Sequence, residues 1–517
     1  MSCSIASMNR GSRLDLLLLA GAVGLSRIAF RSHDLYDLDS VNFALAIGRF
    51  DPSVHQPHPP GYFLYILLGR LLNYVVHDAN LALVLLSIGA SCGLVVMIYK
   101  MALEWFAQRE ARFTGLIFLF SPLAWFHGVV ALTYSVEAFF SALLGYLCWQ
   151  IESGRQASLL PAGIILGVSA GVRPSSLLFL GPIFLYSIRR SPRRRQLAGA
   201  VVVVFTVLLW FLPMVRTSGG FGAYFGALFS LWRLVPGQDT VFNSSPATSI
   251  ARGFTIVLIY LLTFGAASFI PLFAGRRDRW PDIRKKLFTA VWIAPALLFF
   301  TFIFLKFVNC GYLLIVVAPG CIWLGYWASK WYERSAWRES PKLALIGVCV
   351  VANIFIFLAS PFYCSYRSIR RFEGELDGIR AGLPEVGGAK DVLIVGFDSH
   401  SLGYRHAGYY LPSYVTVEYP EVKLQDGMQI FAMHERDTRL LGALPAGSYS
   451  RFVFFPLPAD AANRRYLQSI EDQVGSKNLQ TIRAGGVEFV TGPISDLPLL
   501  FPEVDGTAKA GVYPPLH

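Results

Sequence analysis

Long apolar runs separated by short polar stretches make up most of the first 360 positions of the chain. A helix that crosses a bilayer needs about 20 apolar residues, and about 17 can suffice. A further apolar stretch, 61–77, is interrupted by Arg70 and Asn73 and predicts an amphipathic helix at the membrane interface. With several shorter runs included, the pattern predicts about eleven transmembrane helices, at 14–30, 81–99, 113–126, 128–149, 159–172, 175–188, 197–215, 254–274, 287–305, 311–328 and 343–360.

The pattern changes after residue 362 to short apolar segments within a more polar background. "DVLIVGF" and "SRFVFFPL" predict strands, "VTVEY", "QTIRA" and "VEFVT" predict weaker ones, and "ADAANRRYLQSIEDQVG" predicts a helix. The predicted fold is therefore a polytopic α-helical membrane domain, residues 1–362, followed by a soluble α/β domain, residues 363–517. The membrane domain includes a long loop at 31–80.

Composition and charge support this division. The 517 residues are 54% hydrophobic and 15% charged, with a mean hydropathy of +0.49, which excludes an ordinary soluble globule. The net charge of +12 comes largely from basic clusters at 189–195, 276–286 and 330–342, between apolar runs. Cytoplasmic loops carry such clusters, so the charge indicates topology rather than nucleic-acid binding. The N-terminus is then cytoplasmic, and the loop 31–80 and the C-terminal domain are extracytoplasmic.

The outer loop carries the first candidate site residues. Its stretch "DSVNFALAIGRF" has apolar residues at helical spacing, and Asp37 and Asp39 stand at or just before the start of that helix. Either aspartate could serve only as an N-cap. The following "HQPHPPGY" is either a stiff corner or a binding element that contains His55 and His58. Two histidines and two aspartates without a known geometry are weak evidence for a metal, so we assign no metal ligands.

Four further polar residues lie at the same outer level as this loop. Glu137 falls within the predicted span 128–149, about two turns from its outer end, where a carboxylate indicates a function or a paired partner. Arg173 falls in the outer turn of a helical hairpin, against the positive-inside trend. It predicts an anionic partner such as a lipid phosphate, unless it simply snorkels to the interface. Lys306 and Tyr312 add a basic residue and a phenol nearby.

An enzyme on the outer face cannot use nucleotides found only inside the cell, so it needs a donor that is activated within the membrane. A polyprenyl-phosphate sugar is such a donor. Its phosphate leaves without a general acid when a cation stabilises the charge, and one carboxylate suffices to take the proton of an acceptor hydroxyl.

The motifs "DLDSVNFALA", "HPPGYFLY", "SPLAWFHGVVALTYSVEAFFSALL" and "GVSAGVRPSSLLFLGP" resemble, in this order, membrane glycosyltransferases of the GT-C fold. The closest resemblance is to bacterial relatives of the protein O-mannosyltransferases and of the lipid A aminoarabinose transferases. It implies that Asp39 is the catalytic base and Asp37 a nearby second acid. Ser40 stands where relatives often have a second acid, which leaves the choice of aspartate open. The expected substrate-binding residues are His55, His58, Tyr62, Glu137, Arg173, Lys306 and Tyr312.

The resemblance implies an inverting hexosyl- or pentosyltransferase in a bacterial inner membrane. Its donor would be a polyprenyl-phosphate sugar, with the phosphate held by Arg173 and Lys306, and its acceptor a lipid, a glycan or a protein. Glu137 would orient a hydroxyl or a neighbouring base. Some relatives use a divalent ion and others do not, so metal dependence stays open. The alternatives are a transporter or flippase of lipid-linked glycans, and a polymerase or ligase of surface glycans; we find no internal repeat of the kind that transporters often have.

Overall fold

The computed structural model of the protein describes residues 9–234, 240, 242, 245–273, 282–305, 307–362, 364–397, 402–419, 430–441, 449–455, 467, 468, 470–472 and 474–495. The chain divides into two compact units. The first comprises Met1–His33 and Pro59–Ile369, and the second comprises Asp34–His58 and Arg370–His517. Compactness thus groups residues 34–58 of the loop at 31–80 with the C-terminal residues, whereas the domain boundary drawn from composition at residue 362 stays a prediction.

Helices account for most of the described chain. They are α1 (Arg10–Ala29), α2 (Leu38–Gly48), α3 (Phe63–Val76), α4 (Ala79–Trp105), α5 (Gln108–Leu119), α6 (Pro122–His127), α7 (Tyr134–Glu152), α8 (Leu159–Val172), α9 (Ser175–Ile188), α10 (Arg193–Thr217), α11 (Phe221–Leu234), α12 (Pro246–Phe264), α13 (Ile283–Phe302), α14 (Val317–Arg334), α15 (Glu339–Ala359), α16 (Tyr366–Val386) and α17 (Tyr404–Tyr410). Shorter 3-10 segments are Pro52–Val54, Gln156–Ser158, Gly265–Phe273, Phe307–Val316 and Ser476–Asn478.

The first unit contains the membrane helices. Among the described residues, six helical segments are long and apolar enough to cross a bilayer. They are Ala79–Trp105, Arg193–Thr217, Pro246–Phe273, Ile283–Phe302, Cys310–Arg334 and Glu339–Ala359. The protein is therefore a mostly helical membrane protein, as the sequence predicts, although the count of eleven spans is not confirmed.

The remaining predicted spans coincide with helices that are short or carry charges. α8 and α9 have 14 residues each, which at 1.5 Å per residue is less than the roughly 30 Å of a hydrocarbon core. The predicted span 113–126 is interrupted, because α5 ends at Leu119 and α6 begins at Pro122. Ser121 caps α6 by accepting the N–H of Ala124, and Pro122 occupies the first helical position, where its missing N–H costs nothing.

The second unit contains α2, α17, the part of α16 from Arg370 onward, and a sheet. The described strands are β1 (Val392–Gly396), β2 (Thr416–Glu418), β3 (Ile430–His434), β4 (Asp437–Leu441), β5 (Arg451–Phe454), β6 (Gln480–Ala484) and β7 (Val487–Pro493). Their order in the sheet is β4-β3-β2-β1-β5-β7-β6. β1 pairs in parallel with β2 and β5, and the other pairs are antiparallel.

The core of this unit follows from the central strand. All five residues of β1 are buried, which is typical of a parallel strand covered on both faces. Leu393 and Val395 on one face of β1 pack with Phe452 and Phe454 of β5. α17 packs against β1 and β2, and α2 packs against α17. The helix α17 therefore connects α2 to the sheet.

All five strands predicted from the sequence are present, as β1, β2, β5, β6 and β7. The helix predicted for 459–475 lies largely outside the described residues. The sequence did not predict α16, α17 or the hairpin of β3 and β4. The hairpin turns at Glu435 and Arg436, both with positive φ (50° and 62°), where Asn and Gly are the usual residues.

Candidate functional site

Asp37 and Asp39 have different surroundings at the start of α2. Asp37 has extended backbone (φ −116°, ψ 153°), and its carboxylate accepts the N–H of Asp39 at 2.8 Å. It is therefore the N-cap, and it is buried. The Asp39 side chain is 20% exposed and lies in the first turn, one residue into the helix. Of the two candidate acids, Asp39 is the one that solvent reaches more easily.

His58 lies beside Asp39. Its Nδ1 atom is 3.2 Å from Asp39 Oδ1, and its side chain is 16% exposed. The imidazole ring also lies against Phe43 of α2, with ring centroids 5.9 Å apart. A carboxylate next to a partly exposed imidazole can accept a proton and can be held in orientation by that ring. Of His55 and His58, it is His58 that lies next to a candidate base.

His55 has another environment. It ends the 3-10 helix Pro52–Val54 in the left-handed conformation (φ 58°), and its ring packs on Phe431 at 5.0 Å between centroids. Burial and the positive charge of Arg405 lower the pKa of His55 to about 3. The imidazole is therefore neutral at physiological pH. The pairing of Asp51 with Gln56 closes this turn, and the peptide bonds Gln56–Pro57 and Pro59–Pro60 that follow it are cis.

The first unit contains a second polar cluster, around Arg173 between α8 and α9. Its guanidinium Nη1 lies 3.4 Å from Glu137 Oε2, and both side chains are buried, at 8% and 3% exposed. Ser176 donates a hydrogen bond of 2.9 Å to Glu137 Oε1. The Arg173 guanidinium also donates a hydrogen bond of 3.4 Å to the Thr133 hydroxyl. Glu137 lies in the first turn of α7, because that helix starts at Tyr134 and not, as predicted, near residue 128.

Aromatic rings enclose the Arg173 guanidinium. The guanidinium carbon is 4.2 Å from the ring centroid of Tyr312 and 4.8 Å from that of Tyr134. Tyr312 is in turn stacked on Phe300, at 5.5 Å. A Cβ at Gly311 would come within 2.3 Å of the Tyr134 ring, so glycine at this position permits the close approach. Ring faces stabilise a cation and leave the edge of the guanidinium plane for an anion.

The structure thus brings together several predicted residues. Asp37, Asp39 and His58 are neighbours in the second unit, and Glu137, Arg173 and Tyr312 are neighbours in the first. Tyr62 is buried at the start of α3, within electrostatic range of Arg173. His55 does not join the aspartates, and Lys306 lies outside the described residues.

The sequence did not predict that Thr133, Tyr134 and Ser176 belong to the cluster around Arg173. Tyr134 stands three residues before Glu137 in "LTYSVE", a spacing that puts both on one helix face and could have indicated the cluster.

In the part of the chain that the structure describes, no group of three or more His, Cys, Asp or Glu side chains is placed to hold a metal ion.

Comparison with known proteins gives one family match. Residues 52–196 match the sequence model of the TMEM260 protein O-mannosyl-transferase N-terminal domain. The match spans somewhat more than a quarter of the chain. It includes His55, His58, Glu137 and Arg173, and it begins after Asp39. No curated protein matches the chain by sequence.

Solved structures match over much more of the chain. ArnT from Cupriavidus metallidurans, bound to undecaprenyl phosphate, superposes with a TM-score of 0.57 at 14% identity, covering 94% of this chain and 98% of that one. The apo form of the same ArnT gives a TM-score of 0.56 at 14% identity, with coverages of 95% and 99%. The chain has the GT-C fold. An Archaeoglobus fulgidus oligosaccharyltransferase, in complex with Zn and sulfate, also matches, with a TM-score of 0.51 at 11% identity over 90% of this chain and 69% of that one.

Proposed function

We propose that this GT-C protein is an inverting glycosyltransferase that moves a hexose or pentose from a polyprenyl-phosphate donor to an extracytoplasmic acceptor. The observation that carries the proposal is the superposition, over nearly the whole chain, on an ArnT that binds undecaprenyl phosphate. The family match to an O-mannosyl-transferase domain supports the same reaction class. The proposed location is a bacterial inner membrane, with the N-terminus in the cytoplasm and the second unit outside.

The proposed base is Asp39. Its carboxylate is partly exposed, whereas the Asp37 carboxylate is buried and already accepts the N–H of Asp39. Asp39 would take the proton from an acceptor hydroxyl as that oxygen attacks the anomeric carbon and the bond to the donor phosphate breaks. One displacement of this kind inverts the configuration at that carbon. His58, 3.2 Å away, would hold the carboxylate in orientation.

The proposed binding group for the donor phosphate is Arg173. A guanidinium presents five N–H donors in one plane, and the two tyrosine rings keep that plane fixed. Glu137 would orient Arg173 through its ion pair, a role that differs from the expected orientation of a hydroxyl or a neighbouring base. Lys306 remains a proposed second cation for the phosphate.

Transfer assays with defined donors test this proposal. The purified protein, in liposomes, would be given polyprenyl-phosphate mannose or aminoarabinose with a lipid, glycan or peptide acceptor. We expect one of these donors to yield free polyprenyl phosphate and a glycoside of inverted anomeric configuration, measured by mass spectrometry and NMR. Absence of transfer from every donor, together with movement of labelled lipid-linked glycan across the bilayer that Asp39→Asn leaves unchanged, would instead favour the flippase alternative.

A further inference from the structure

Loop residues 34–58 are fixed to the C-terminal part of the second unit near both of their ends. At the N-terminal end, Arg380 of α16 forms an ion pair of 3.0 Å with Asp34. The same guanidinium lies over the Tyr410 ring, at 4.5 Å from its centroid. The Tyr410 hydroxyl accepts the backbone N–H of Leu35 at 2.6 Å. These contacts hold the segment that leads into Asp37 and α2.

At the other end, Arg405 of α17 reaches the turn that leads to His58. Its Nη2 atom donates a hydrogen bond of 3.0 Å to the carbonyl oxygen of Val54. Its Nη1 atom lies 3.4 Å from the Thr438 hydroxyl, which also accepts a hydrogen bond of 2.8 Å from the side-chain amide of Gln56. Arg405 and Thr438 together therefore fix residues 54 and 56, on either side of His55.

The burial of Arg405 makes this attachment stronger than a surface contact. Arg405 is 1% exposed, and no carboxylate of the described residues lies within ion-pair distance of it. Its charge is stabilised by the rings of Phe431 and Tyr404, at 5.0 and 5.3 Å, and by the Val54 carbonyl. A buried cation that loses a partner is costly, so the loop carbonyl cannot move away freely.

A nearby ion pair is a useful contrast. Arg49 donates to Asp437 at 2.8 Å, but its side chain is 47% exposed. Water and salt screen such a pair, and exposed pairs contribute little to stability. Among the polar contacts that join the turn to the C-terminal part, those of Arg405 and Thr438 are therefore the buried ones.

We propose that Arg405 is a positioning residue for sugar transfer, acting through the turn at residues 51–58 to keep His58 beside Asp39. The inference rests on the proposed function, and it gives the C-terminal domain a role: the domain holds the loop that carries the base. Arg405 itself, being buried, does not touch substrate. Its loss should leave donor binding intact and should displace the His58–Asp39 pair.

The test compares Arg405→Met and Thr438→Val with a matched control, Arg436→Met. Arg436 belongs to the same domain, donates to the Tyr409 carbonyl at 3.0 Å and lies over the Tyr409 ring, and those contacts do not involve the loop. Thr438→Val removes one hydroxyl at nearly constant volume, so it keeps the test decisive if Arg405→Met does not fold. Arg405→Lys keeps the positive charge but lacks the planar guanidinium that reaches both the Val54 carbonyl and the Thr438 hydroxyl.

The first readout is hydrogen exchange of the backbone amides at 51–56 in the full-length protein, and it does not depend on activity. We expect about tenfold faster exchange or more in Arg405→Met and Thr438→Val, because local opening becomes easier, and no change in Arg436→Met. Arg405→Lys should recover part of the protection. Unchanged hydrogen exchange at 51–56 in both Arg405→Met and Thr438→Val would overturn the proposal.

The second readout separates kcat from KM in the transfer assay. A displacement of about 1 Å at a catalytic group can lower a rate about 100-fold, so we expect kcat to fall while the KM for the donor stays nearly constant. A rise in KM alone, or equal loss in Arg436→Met, would contradict positioning. If the wild-type protein transferred no sugar, the proposed function would fail, whereas the exchange measurement would still decide whether Arg405 holds the loop.

Discussion

Arg173 and Glu137 form a buried ion pair, and its two partners have unequal energetic consequences. Removing both charges from such a pair is often neutral, because the desolvation cost disappears with the attraction. Removing one leaves the other buried and uncompensated. Stability and donor binding can therefore be separated by mutation at these two residues.

We expect Glu137→Gln to lower the free energy of unfolding by about 3–5 kcal/mol, because Arg173 would lose its carboxylate partner. The double variant Glu137→Leu with Arg173→Met should regain most of that stability and still fail to bind donor. Thermal unfolding in detergent and binding of labelled polyprenyl phosphate measure the two effects. A double variant as unstable as the single one would show that the pair is not the source of the loss.

His55 makes the stability of the second unit sensitive to acid. Its pKa is lowered to about 3 in the folded protein, by burial and by Arg405, from about 6.5 in an unfolded chain. Between these values the unfolded chain binds a proton that the folded one does not. The stabilising effect of neutral His55 is therefore complete above pH 6.5 and is lost as the pH falls toward 3.

We expect the second unit to lose about 2–3 kcal/mol of unfolding free energy between pH 7 and pH 4.5 through this residue. His55→Asn should remove that part of the pH dependence, because asparagine tolerates the left-handed backbone and does not titrate. Hydrogen exchange of the β1 and β5 amides, corrected for intrinsic rates, gives the free energy at each pH. Equal pH dependence in variant and wild type would refute the assignment.

At the scale of elements, α2 sets the positions of the candidate base and its neighbour. The helix begins where the Asp37 carboxylate accepts the Asp39 N–H, and Asp39 then falls in its first turn. An amide oxygen can accept the same hydrogen bond. The cap therefore needs an oxygen at residue 37, whereas the proposed base needs a charge at residue 39.

We expect Asp37→Asn to retain transfer, and Asp37→Ala to lose about 1 kcal/mol of helix stability and part of its kcat. Circular dichroism cannot resolve one helix here, so hydrogen exchange of α2 and the transfer assay are the measurements. Inactivity of Asp37→Asn, with α2 intact, would make Asp37 the base instead of Asp39.

The elements also show which features the sequence could predict. The central strand β1 is a short, continuously apolar run, β5 is apolar after Arg451, and the sequence predicts both strands. The break between α5 and α6 was missed because apolar residues continue across it, although Ser121 and Pro122 form a recognisable helix start. The β3–β4 turn was missed because Glu435 and Arg436 carry positive φ without glycine or asparagine. The pairing of β3 with β4 imposes this backbone conformation, and the conformational preferences of the two residues do not predict it.

At the scale of the whole molecule, apolar periodicity predicts the helices and strands but not how distant segments combine. Asp39 was predicted from the motif resemblance and Arg173 from its charge in a predicted outer turn, and their local partners His58, Glu137 and Tyr312 were also among the predicted site residues. The grouping of residues 34–58 with the C-terminal part could not be predicted, because it depends on the packing of α2 against α17 and on polar contacts of Arg380, Arg405 and Thr438. A buried arginine in a globular domain leaves no periodic signal in a single sequence.

A comparison of complemented cells shows whether Asp39 is the base of a sugar transfer. Cells lacking the gene would be complemented with the wild type or with Asp39→Asn, and their lipids and surface glycans compared by mass spectrometry. We predict a glycan that is lost in the deletion strain, restored by the wild type and not restored by an equally expressed Asp39→Asn, since removal of a general base lowers a rate by about 100- to 10,000-fold. Full restoration of the glycan by Asp39→Asn would show that Asp39 is not the base.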